Sequence, residues 1–143
     1  MSNKNCDNPR VGRGFQADVQ CVLEKKFRKK FYFEVPIMIG NPAKNHKFDL
    51  ATKDGSIVVE CKCYTWTDSG NVPSAKLMGL DEAIFYFNFL PKSVMKILCM
   101  KRAVFPGKEE TLAEYYVRVH GHLLNEVKIL EISDVGKVRK IKS

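Results

Sequence analysis

Apolar positions follow two rhythms along the chain, one of period near 3.6 and one of period two. From Gly14, the residues Phe15, Val19, Val22, Leu23 and Phe27 recur at helical spacing. Lys25, Lys26, Arg28, Lys29 and Lys30 crowd the far end, where cations complement the helix dipole. This predicts an amphipathic first helix. Residues 31–39 alternate and stop at Gly40-Asn41-Pro42, a strand closed by turn residues. Phe48-Asp49-Leu50 and Ile57-Val58-Val59 flank Asp54-Gly55, the strongest short-range hairpin signal. A second helix is expected from Ser74 to about Leu90, and its later half is apolar on nearly every side, as a core helix would be. Residues 94–100 read as a buried strand ended by Pro106-Gly107. Glu109-Glu110-Thr111 then open a third helix through Leu124, and residues 127–132 form a last short strand. The order is helix, three strands, helix, strand, helix, strand: an α/β chain of the α+β kind.

The hairpin concentrates the chemistry. If Asp54-Gly55 is the loop, or the centre of a four-residue loop, Ala51 pairs with Val58 and Asp49 with Glu60. A three-residue loop would put the two acids on opposite faces. Period two places Val58, Glu60, Lys62 and Tyr64 on one face and Ile57, Val59, Cys61 and Cys63 on the other. Opposed Cβ atoms lie about 4.5 to 5.5 Å apart, and opposed like charges destabilise a sheet. Two arrangements offset the repulsion. In one the acids pair with Lys62 and Lys47 on a surface hairpin; in the other they hold a hard cation such as Mg²⁺, which takes one or two carboxylates and keeps several waters.

Composition bounds the rest. With 143 residues, 45% of them hydrophobic, the chain is the size of one domain with a proper core. That domain spans 12–133, between a polar arm at 1–11 and a basic tail at 134–143. The net charge of +8 predicts attraction to polyanions, nucleic acid first. Five cysteines show no disulfide-framework spacing, no signal peptide is visible, and no apolar run is long enough to cross a bilayer. An intracellular, cytoplasmic location without membrane association is therefore expected. His120 and His122 would point about 200° apart on a helix and form no ligand pair. Cys61-Lys62-Cys63 lacks the spacing and the second ligand pair of a zinc site, so its thiols are expected to pack as small hydrophobes. His46 reads as a surface residue, and Trp66 as packed beneath the loop that follows it. Glu24 and Glu34 read as acids paired with lysines.

Asp49 followed by Glu60-Cys61-Lys62 at the end of a β-branched strand resembles the PD-(D/E)XK nuclease superfamily, the restriction-endonuclease-like fold, with Phe48 where proline often precedes the acid. Gly14 with Asp18 four residues later is similar to the opening of archaeal-type Holliday-junction resolvases, which carry a glutamate there. The resemblance implies an αβββαβ core with a mixed central sheet flanked by helices, and a site where the second and third strands diverge. It implies that Asp49, Glu60 and the Cys61 backbone carbonyl hold Mg²⁺ or Mn²⁺ and that Lys62 orients or activates the attacking water. Asp18 and Lys76 would be further site residues, with Glu24 a substitute for Asp18. The implied activity is hydrolysis of DNA phosphodiesters by an endonuclease, and by analogy with the resolvases a homodimer. The alternative is a nucleic-acid-binding module with this fold and no catalysis. A third reading, an assembly protein, would use the apolar second helix as its interface.

Overall fold

A computed structural model describes residues 9–142, with side chains from Gly14 onward. Helix α1 (Pro9–Phe27) leads into β1 (Phe31–Ile39), β2 (Lys44–Thr52) and β3 (Ile57–Lys62). Then come α2 (Ser74–Phe87), β4 (Met95–Lys101), α3 (Leu112–His120) with a 3₁₀ turn at Gly121–Leu123, β5 (Lys128–Ile132) and β6 (Val138–Ile141). The six strands form one mixed sheet in chain order. β1, β2 and β3 are antiparallel, β3, β4 and β5 are parallel, and β6 returns antiparallel to β5. Parallel neighbours need crossover helices, which α2 and α3 supply.

The sheet separates two apolar layers. On one face, Phe48, Ala51, Val58, Leu98, Met100 and Ile129 pack against Leu80, Ile84 and Phe87 of α2 and Leu112, Tyr116 and Val117 of α3. On the other, Leu50, Ile57, Val59, Ile97, Cys99 and Leu130 pack against Phe15, Val19 and Leu23 of α1. Val58 and Val59, neighbours in sequence, are both fully buried because their side chains enter opposite layers. Each such side chain contributes about 1.5 to 3 kcal/mol of burial. Thr111 caps α3 through a capping box with Glu114, which explains why that helix begins later than the preceding acids suggested.

Two segments differ from expectation. α1 already includes Pro9, inside the stretch expected as a loose arm, while residues 1–8 lie outside the described residues. The basic tail contains β6, which extends the sheet by pairing Ile129 with Ile141 and Glu131 with Arg139. Its alternation is too short to see in the sequence, and it depends on a partner strand: Arg139 forks onto the buried carboxylate of Glu131 at 2.8 and 3.1 Å. Helix α2 is a core helix on its inner face only, since Met78 and Phe85 are exposed on the outer one. A polar clamp joins it to α3, in which Asp81 Oδ1 accepts from Tyr116 Oη at 2.8 Å and lies 3.0 Å from His120 Nδ1. No helix among the described residues is long and apolar enough to cross a membrane.

Candidate active site

The hairpin turn sets the register. Gly55, at φ +72°, donates to the Thr52 carbonyl at 3.0 Å, and the Asp54 carboxylate accepts from the Ser56 N–H at 3.0 Å. Ala51 then opposes Val58 and Leu50 opposes Val59, the expected register. One residue further, where Asp49 would oppose Glu60, the backbone ladder stops and side chains replace it. The Asp49 N–H donates to Glu60 Oε2 at 3.1 Å, and the Cys61 N–H donates to Asp49 Oδ2 at 2.8 Å. The two acids are therefore brought together in the opening between diverging strands. In an extended strand the N–H and C=O of one residue point to the same side, so the Cys61 carbonyl is also directed toward β2.

A second irregularity sits at the same place. In β2, Phe48 faces the α2/α3 layer, yet Leu50, two residues on, faces α1, so the alternation breaks at Asp49. Opposite, β1 pairs Phe33 with Leu50 and Val35 with Phe48, and between them Glu34 adopts φ +51°. A left-handed conformation at a residue other than glycine is strained, and such strain clusters at functional sites. The Glu34 charge acts on Asp49. Glu34 itself is exposed, and no pairing with a lysine is seen for it among the described residues.

Burial governs the electrostatics. Glu60 is only 7% exposed, and removal from water, followed by repulsion from Asp49, drives its carboxyl far above the usual range. Asp49 is also raised by burial, against the pull of the Cys61 N–H and Lys62. Burial and the neighbouring acid thus hold the Glu60 carboxyl toward its protonated form. The Lys62 charge acts on both acids. Burial and the neighbouring Cys99 push the Cys61 thiol up, so at neutral pH it is a protonated packing group on the α1 side. Cys63, expected as a second packed thiol, is disulfide-bonded.

The remaining candidates separate. Asp18 lines a cavity of about 250 Å³ with Cys21, Lys101 and Asp134, on the α1 side of the sheet. Glu24 accepts the Phe31 N–H at 2.9 Å, which ties α1 to β1. Lys76, in the first turn of α2, holds its Nζ 6.0 Å from the Tyr64 ring centre, two residues beyond Lys62 on the chain. Trp66 is buried, with Nε1 donating to the Ala103 carbonyl at 3.1 Å. One residue not counted toward the site does approach it. His46 stacks on Tyr86 of α2 at 3.8 Å between ring centres, and Glu82, Asp49 and Lys62 are the charges that act on it. Its position two residues before Phe48, on the same face, was a legible signal.

Among the described residues, no group of three or more His, Cys, Asp or Glu side chains is gathered to hold a metal ion. Two adjacent carboxyls remain a donor set that suits a hard cation retaining several waters, since such an ion needs only one or two protein carboxylates. No family model matches the chain, and comparison with curated proteins and with solved structures likewise returned no match.

Proposed function

We propose that this protein is a metal-dependent nuclease of the restriction-endonuclease-like kind that hydrolyses DNA phosphodiesters. One observation carries the reading: where β2 and β3 part, the Glu60 carboxylate accepts from the Asp49 N–H and the Asp49 carboxylate accepts from the Cys61 N–H, with Lys62 on the same strand as Glu60. The αβββαβ order of the first four strands and two helices supports it, as does the +8 charge, which favours association with a polyanion.

Asp49, Glu60 and the Cys61 carbonyl would hold Mg²⁺ or Mn²⁺. When bound, the ion would acidify a coordinated water and neutralise charge on a phosphoryl oxygen. Glu60, held toward its protonated form by burial, would have to give up its proton for this. Lys62 places an ammonium beside both acids, where it orients the attacking water or stabilises developing negative charge. Asp18 and Lys76 are outside this core set.

The test is incubation with duplex, single-stranded and branched DNA in Mg²⁺, Mn²⁺ or EDTA. Cleavage is expected with either metal and none in EDTA, and Lys62→Ala should lower the rate on the order of a hundred-fold or more. Cleavage unchanged in Asp49→Ala or Lys62→Ala would rule the site out. Binding that weakens with salt and is never followed by cutting would instead favour a nucleic-acid-binding module with this fold.

A further inference from the structure

His46 has the placement of a working residue rather than a surface one. It lies on β2 three residues before Asp49, on the face that carries Phe48. Its ring is held on two sides: stacked on Tyr86 at 3.8 Å and 12°, and edge-on to Phe48 at 4.6 Å and 78°. Phe48 is in turn stacked on Phe87 at 5.8 Å, so the clamp is anchored in the core. Stacking of this kind fixes ring orientation and leaves the nitrogens on the ring edge free. Among the described residues, neither ring nitrogen has a hydrogen-bond partner, and the ring is half-buried rather than enclosed.

The charged groups whose fields reach the ring are Glu82 from α2, Asp49 from β2 and Lys62 from β3. Partial burial disfavours the imidazolium, which leaves a neutral ring with one N–H donor and one acceptor. A neutral donor adds no positive charge to compete for the acids, yet can still bond an anionic oxygen.

We propose that His46 is a substrate-contacting residue of this site, its ring held flat by Tyr86 so that one N–H donates to a phosphate oxygen of the nucleic-acid backbone beside Lys62. This rests on the nuclease reading for the identity of the reaction, but the contact with a phosphodiester can be measured separately. A contact of this kind would fix register along the backbone rather than read its sequence.

Two variants separate this role from a structural one. His46→Phe keeps the stack and loses the donor, whereas His46→Gln loses the stack and keeps an N–H near the same position. If the ring contacts substrate, metal-dependent kcat/KM on a short duplex falls about ten-fold or more in His46→Phe and is partly restored in His46→Gln, with unfolding of the Phe variant unchanged. The reverse pattern, Phe harmless and Gln harmful, overturns the proposal. A second readout needs no cleavage: the imidazole ¹⁵N signals, assigned by their loss in His46→Phe, are followed while a short oligonucleotide is added in Ca²⁺. A shift supports the contact even if the wild-type protein cuts nothing, in which case the nuclease reading alone fails. Signals that do not move overturn it.

Discussion

Asp49 and Glu60 each use a carboxylate where a β-ladder would use a carbonyl: the Asp49 N–H reaches Glu60 Oε2 at 3.1 Å, and Asp49 Oδ2 takes the Cys61 N–H at 2.8 Å. The exchange ends the pairing of β2 with β3 without leaving either amide unsatisfied. It also draws two acids into one partly dry space, where burial raises both carboxyls and Glu60 the more clearly. Both the chemistry proposed for the site and its consequences for stability follow from that arrangement.

Glu60 links stability to pH. Burial first, and then the charge on Asp49, push its carboxyl up to about 8, whereas an unfolded glutamate titrates near about 4.3. Between those values the folded chain holds more protons than the unfolded one. The stabilisation is complete below the unfolded value and is lost as pH rises through the folded one. In EDTA, the urea midpoint should therefore fall from pH 5 to pH 8.5. Glu60→Gln, which cannot ionise, should remove most of that slope.

A divalent cation should reverse this trend. On the proposed reading ionised Glu60 would be the form that binds metal, so Mn²⁺ is expected to raise the melting temperature more at pH 8 than at pH 6. At a hundred times its dissociation constant, a ligand of the folded state adds about 2.7 kcal/mol. The double variant Asp49→Asn with Glu60→Gln should show no Mn²⁺-dependent shift in a thermal scan.

The α2–α3 clamp has its own signature. Tyr116 is fully buried, and its hydroxyl finds Asp81 Oδ1 at 2.8 Å. Tyr116→Phe removes the donor and should cost about 1 kcal/mol. Asp81→Ala strands that hydroxyl and should cost more, about 1 to 3 kcal/mol. Urea unfolding of both variants orders them, and the reverse order would mean that the clamp contributes little.

Strand β6 is tied down through Arg139, which reaches Glu131 at 2.8 Å and Glu114 at 2.9 Å, while Arg102 stands 3.9 Å from Glu131. Glu131 is 2% exposed with Oε2 unpartnered, and its Oε1 accepts from Arg139 twice. Arg139→Ala leaves a buried carboxylate without its fork and should cost on the order of 2 to 4 kcal/mol. Glu131→Met in the same chain should recover most of the loss. Hydrogen exchange at Val138–Ile141 should rise in the single variant and return toward wild type in the double.

What the chain discloses in one dimension is what repeats over a few residues. Alternation around Asp54-Gly55 was enough to pair Ala51 with Val58 and to put Val58 and Val59 in different layers, because side-chain direction in a strand is a local property. Helical spacing likewise marked Phe15, Val19 and Leu23 as the buried face of α1. Contacts between distant segments carried no such signal. That β2 loses its alternation at Asp49, that Tyr86 lays its ring on His46 forty residues away in the chain, that Asp18 lines a cavity with Asp134, and that Arg139 pulls a basic tail onto Glu131 as a sixth strand were all decided by packing. The energies of these contacts depend on which surfaces meet and how much water leaves between them, and that is settled only when the sheet and helices close on one another.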